Sequence, residues 1–198
     1  MSGGIAAILL AAGESRRMGA PKASVRLCGW SLLEWVYDSI HSSRVFDEVL
    51  AVLRPGFDPP EGLSMEPIYN YESWRGLASS LSLGLSRARE KGYYGAAVFH
   101  VDMPLIRPST IRMLAGEFVR LWPDLLRPAY RGSPGFPVFA GPPAMRASTL
   151  TWGDTGLRRV EHLLYRVLRI EVDDPGVAVD LDTPEDIARV GRLLGCES

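Results

Sequence analysis

The chain has 198 residues, 46% hydrophobic and 23% charged, the balance of a globular protein able to bury a core. Twenty-two Lys+Arg oppose 23 Asp+Glu, so no global field draws it to nucleic acid or an anionic membrane, and any anion site has to be local. No apolar run approaches the roughly 20 residues of a membrane span, and Met1-Ser2-Gly3-Gly4 lacks a cationic leader, so a cytoplasmic protein is expected.

Ile5 to Ala11 is a continuous apolar run ended by Gly13, the pattern of a strand buried on both faces. Ser31-Leu32-Leu33-Glu34 reads as a capping box opening a helix with Leu33, Val36 and Ile40 on one face. Glu48 to Leu53, closed by Pro55-Gly56, repeats the strand pattern, and a second helix carries Leu77, Leu81 and Ala88. A third strand, Ala96 to Val101, is closed by Asp102-Met103-Pro104, and a third helix aligns Ile111, Leu114, Phe118 and Leu121. Residues 123–152, rich in Pro and Gly, read as loops and edge strands laid over one side. A short strand is expected around Val177-Ala178-Val179, and a last helix starts at Thr183-Pro184-Glu185-Asp186, with Thr as N-cap and Pro in the first turn. Strands alternating with helices predict an α/β protein, a three-layer sandwich on a mostly parallel sheet. No linker or repeat interrupts 1–198, which predicts a single domain.

In such a sheet ligands bind beyond the carboxyl ends of the strands. After the first strand, Leu10-Ala11-Ala12-Gly13-Glu14-Ser15-Arg16-Arg17-Met18-Gly19-Ala20-Pro21-Lys22 combines small residues, a hydroxyl and three cations, suited to cradling phosphates. It is neither a Walker A loop nor GxGxxG. An ordinary strand-to-helix turn with solvated arginines is the plainer reading; Lys22, one of only two lysines, tips the balance towards phosphate. Asp102 after the third strand, with Asp180 and Asp182, supplies carboxylates suited to Mg²⁺; the alternative for Asp182 is a charge at a helix N-terminus. Asn70, the sole carboxamide side chain, and Ser79-Ser80 are candidates for nucleoside contacts, or for capping a turn. Gly153-Asp154-Thr155-Gly156 offers a polar second-substrate loop, and Trp152 beside it a flat ring. His100 and His162 read as packed or surface residues, and Cys28 and Cys196 as free thiols.

These segments, in this order and over nearly the whole chain, resemble the nucleotidyltransferases of molybdenum cofactor maturation, the cytidylyltransferases more closely than the guanylyltransferases. The guanylyl relatives usually carry a second Gly where this chain has Ala12. The resemblance implies a Rossmann-like nucleotidyltransferase fold and transfer of CMP from CTP to the terminal phosphate of molybdopterin, releasing pyrophosphate. It implies that the turn from Leu10, Ala11, Ala12 and Gly13 through Ser15, Arg16, Arg17 and Lys22 holds the nucleotide, with Arg17 and Lys22 on the phosphates. Asp102 would ligate Mg²⁺ with Asp180 or Asp182 as a second ligand, and Asn70, Ser79 and Ser80 would touch the nucleoside. Gly132, Gly135, Phe136 and Pro137, with Trp152, Gly153, Asp154 and Gly156, would face the pterin. Relatives often have a polar residue, commonly His, where this chain has Phe136. A molybdenum hydroxylase client is a further implied partner. Guanylyl transfer to the same pterin, a sugar-phosphate nucleotidyltransferase and a non-catalytic cofactor carrier are the alternative readings.

Overall fold

A computed structural model describes residues 3–13 and 18–196. In chain order its strands are β1 (Ile5–Ala11), β2 (Arg26–Leu27), β3 (Trp30–Ser31), β4 (Glu48–Leu53), β5 (Glu66–Tyr69), β6 (Gly95–His100), β7 (Leu125–Tyr130), β8 (Ser133–Pro134), β9 (Val138–Ala140) and β10 (Val167–Glu171). The α-helices are α1 (Leu32–Ser43), α2 (Leu77–Glu90), α3 (Pro108–Leu121), α4 (Pro142–Ala147) and α5 (Pro184–Leu194).

Every residue of β1 is buried, because the strand lies between β4 and β6 and has a layer on each face. Its alternate residues feed two cores: Ile5, Ala7 and Leu9 pack with α1 and α3, and Ala6, Ile8 and Leu10 with α2 and α4. Among the described residues the sheet order is β10-β7-β9-β6-β1-β4-β5, with β8 paired to β7. The β1, β4, β5 and β6 pairings are parallel, as is β10 with β7, whereas β9 runs antiparallel to both its neighbours. This is the α/β sandwich with a mostly parallel sheet that the strand and helix pattern predicts.

Helix starts follow local chemistry. The Ser31 hydroxyl accepts from the Glu34 amide at 3.2 Å while the Glu34 carboxylate accepts from the Ser31 amide at 2.7 Å. Thr183 and Asp186 make the same reciprocal pair at the head of α5. Neither α3 nor α2 has a side-chain cap on its own N-cap residue. Asp174, buried and 67 residues from Arg107, accepts from the Arg107 amide, the Thr110 hydroxyl and the Gly176 amide, and so ties the start of α3 to the segment before Val177.

Three expectations need correction. Residues 123–152 do not lie over one side: β7 and β9 are interior strands, and 142–147 form α4. Pro128 is tolerated in β7 because it falls between the stretch paired to β9 and the stretch paired to β8, where the ladder on that side is interrupted. Val177-Ala178-Val179 is not a strand; Pro175–Ala178 is a 3-10 turn organised by the Asp174 carboxylate. Cys28 and Cys196 are not free thiols. The C-terminal end of α5 returns to the β2–β3 hairpin, brings their Cα atoms to 5.4 Å, and the two form a disulfide.

Candidate active site

The carboxyl ends of β1 and β6 lie side by side, with Leu10 opposite His100 in the register. Past those ends the backbone stays stitched: the Val101 amide donates to the Leu10 carbonyl at 3.1 Å and the Leu181 amide to the Asp102 carbonyl at 2.8 Å. The second bond brings Asp182, 80 residues away, to the same place as Asp102. Lys22 enters from a 3-10 turn whose Pro21 carbonyl accepts from both the amide and the hydroxyl of Ser24. Its ammonium donates to Asp102 Oδ2 at 2.6 Å and to Asp182 Oδ1. Burial works against the charge, but the two carboxylates outweigh it and hold Lys22 above the usual lysine pKa.

These groups line an open cleft of about 750 Å³ together with Leu10, Ala11, Ala12, Gly13 and Ser80. Of the two late aspartates, Asp182 lines the cleft, while Asp180 is exposed and acts on it through its charge near His100. Among the described residues no three acidic, His or Cys side chains gather as a metal cage. The donor set at Asp102 and Asp182 is two carboxylates from different elements converging on one cationic point. That fits Mg²⁺, which takes one or two carboxylates and fills its remaining positions with water and substrate phosphates. Ser15, Arg16 and Arg17 lie outside the described residues.

Asn70 spends its polar atoms within the protein, as the turn-capping reading expects. It is buried, its amide donates to the hydroxyls of Ser79 at 3.0 Å and Ser80 at 2.8 Å, and its oxygen accepts from the Glu72 amide. Its donors are spent on tying the segment before α2 to the first turn of that helix, which presents Ser80 to the cleft, while Ser79 turns back to the Gly76 carbonyl. Gly76 has to be glycine: it sits at φ +89° and a Cβ would meet Asp154 Oδ1 at 2.7 Å and the Gly153 carbonyl carbon at 2.8 Å. Through that close approach Asp154 accepts from the Leu77 amide and the Gly153 carbonyl from the Ala78 amide, so the 153–154 loop caps α2 from outside.

A second, smaller cavity of about 240 Å³ lies behind the cleft, and Leu10, Leu77, His100 and Asp154 border both. Its walls are apolar, from Leu81, Val98, Val138 and Leu157, with Gly135, Phe136 and Gly156 also present. The Phe136 ring packs 4.2 Å from that of His100. Burial lowers the His100 pKa, against the pull of Asp102, whose carboxylate lies 4.0 Å from Nδ1. Gly132, Pro137 and Trp152 line neither space. Gly132 sits in an exposed turn bonded to Glu171, Pro137 is buried beside β9, and the Trp152 ring lies under the Arg159 guanidinium. Sequence reasoning missed His100 as a shared wall, and it missed Arg127, a buried arginine on β7 that lines the second cavity. A charge inside the run Leu125-Leu126-Arg127 was the available signal.

The model of one family, described as the MobA-like NTP transferase domain, matches residues 7–169. The chain belongs to this family. A relative named "Probable molybdenum cofactor guanylyltransferase" from Natranaerobius thermophilus is 29% identical over 150 residues, 70% of this chain and 68% of its own. "Purine catabolism protein PucB" from Bacillus subtilis is 28% identical over 210 residues, covering 94% of this chain and 96% of its own. The crystal structure of "Molybdopterin-guanine dinucleotide biosynthesis protein A" from Archaeoglobus fulgidus superposes with a TM-score of 0.73 at 20% identity, over 96% of this chain and 98% of that one, and shares the fold. In this MobA-like transferase domain no helix among the described residues is long and apolar enough to cross a membrane.

Proposed function

We propose that the chain transfers a nucleotidyl group from a nucleoside triphosphate, GTP ahead of CTP, to the terminal phosphate of molybdopterin. The observation that carries this is the convergence of Lys22, Asp102 and Asp182 at the ends of β1 and β6, in a cleft adjoining a second cavity for an acceptor. An attacking phosphate oxygen forms a bond to the α-phosphorus of the nucleotide, the bond from that phosphorus to pyrophosphate breaks, and pyrophosphate departs with the electron pair. A phosphate monoester, with its second pKa near 6, is already ionised at neutral pH. No protein base is needed, in keeping with a cleft whose ionisable groups, among the described residues, are a lysine and three aspartates beside a histidine.

Repulsion between two anions is the obstacle, so neutralising charge is the protein's task. Lys22 supplies a fixed cation, and Arg17, on the sequence reading, a second. Asp102 and Asp182 would hold Mg²⁺, which when bound polarises phosphate oxygens and offsets charge on the leaving group. The guanylyl preference rests on the name borne by the Natranaerobius relative. Cytidylyl transfer is the second reading, supported by Ala12, which lines the cleft where the guanylyl relatives usually carry glycine.

Pyrophosphate release from GTP and from CTP, each with Mg²⁺ and freshly released molybdopterin and with Asp102→Ala as blank, tests both. Release with GTP supports the main reading and release with CTP alone the second. Silence with both, in a protein that binds nucleotide, removes molybdopterin as the acceptor.

A further inference from the structure

The second cavity has one feature that packing does not explain. Arg127 is 5% exposed and projects from β7 into an otherwise apolar surround, where its guanidinium pairs with Glu161 from the 156–163 segment. Its Nε–H has no acceptor among the described residues. A buried ion pair is a poor stabiliser, since apolar residues of similar volume serve as well or better, and a buried donor left unspent costs more still. The charged neighbours at the cavity, Asp154 and Arg158, are exposed, so Arg127 is the buried charge in its lining. At about 240 Å³ the space is smaller than the roughly 300–1,000 Å³ of a pocket that holds a whole ligand. It suits one ring system, with the His100 and Phe136 rings in its wall.

We propose that Arg127 determines acceptor specificity: the cavity takes the flat heterocycle of the acceptor, and the Arg127 guanidinium, held in place by Glu161, donates to a carbonyl oxygen on that ring. The proposal rests on the pterin acceptor of the preceding section and adds to it the group that reads the ring. Phe136 supplies an apolar face in place of a polar contact, and Arg127 supplies the polar contact from the sheet side. A planar guanidinium with five donors can hold Glu161 on one edge and still present another to a ligand.

The test uses free pterin, whose ring carries the C4 carbonyl, and 2,4-diaminopteridine, in which an amino group replaces it, with binding read by ligand fluorescence. Wild-type protein should favour pterin by about tenfold or more, the order expected for a hydrogen bond from a charged donor. Arg127→Met combined with Glu161→Gln should erase that preference while nucleotide affinity stays within about twofold, and Glu161→Gln alone should keep most of it. Equal binding of the two pteridines by the wild type, or an unchanged preference in the double variant, overturns the proposal. Transfer to molybdopterin is measured alongside. Transfer without a pterin preference sinks the role of Arg127 and leaves the reaction standing; a pterin preference lost in the double variant, without transfer, supports Arg127 and sinks the reaction.

Discussion

Two cation–carboxylate clusters sit within one site and are built on opposite plans. Lys22 meets Asp102 and Asp182 in an open cleft, on a flexible stem, with the Asp182 side chain 40% exposed. Arg127 meets Glu161 on the face of the sheet, with only 7% of the arginine side chain exposed. In the open cluster every partner keeps some exposure, from 15% at Lys22 to 40% at Asp182, so a lysine contact can be exchanged for a phosphate or a metal at smaller cost. In the closed one desolvation makes every exchange expensive, and a planar, pre-shaped group is the better tool. The first plan suits neutralising charge that moves during a reaction; the second suits recognising a shape that does not.

Breaking the open cluster should give the largest effect. Lys22→Ala or Asp102→Ala is expected to lower nucleotidyl transfer by about 10²-fold or more, the scale for removing a group that stabilises developing charge, with the thermal midpoint nearly unmoved. Near-normal turnover in either folded variant would remove that residue from the chemistry. The closed cluster should respond in stability instead. Arg127→Ala alone strands the Glu161 carboxylate and should cost about 3 kcal/mol by urea denaturation, part of it recovered when Glu161→Gln is added. Additive costs in the double variant would mean that the pair is not coupled.

Asp154, between the two cavities, should show a smaller effect: Asp154→Ala removes the acceptor at the start of α2 and is expected to cost about 1 kcal/mol in a thermal melt. The smallest effect is on acidification. Hydrogen bonds from Thr183, and from the Asp182 and Thr183 amides, hold the Asp186 carboxyl below its ordinary value of 3.8. A lowered carboxyl pKa stabilises the fold above that ordinary value and ceases to do so as pH falls through the lowered one. Asp186→Asn should therefore flatten the acid limb of stability against pH, and should disturb the open cluster, whose Asp182 amide bonds Asp186, before the closed one.

The open cluster was legible in the sequence and the closed one was not, for physical reasons. Strands β1, β4 and β6 announce themselves as uninterrupted apolar runs because they are buried on both faces, and Lys22, Asp102 and Asp182 all follow turn signals at strand or loop ends. The Ser31 capping box and the Thr183 N-cap were readable because their partners lie three residues apart. The stretch from Leu125 to Ala140 hides its place: β9 has three residues, β7 contains Pro128 at a gap in the ladder, and antiparallel insertion between β6 and β7 depends on pairing across the sheet. Arg127 acquires its meaning from Glu161, 34 positions on, and from walls contributed by five separate segments. Asn70 stood open between a nucleoside contact and a turn cap, and the structure shows its amide bonded to the nearby serines. Cys28 and Cys196 stand 168 residues apart, a distance over which local pattern carries no information.

That last pairing changes what the chain is as an object. With Cys28 joined to Cys196, everything from the β2–β3 turn to just past the end of α5 is a closed covalent ring. A single backbone cut inside the ring opens it without separating any part. A nicked molecule would therefore run as one band on a denaturing gel without reductant and as two with it, and its halves would stay tethered and able to find each other again.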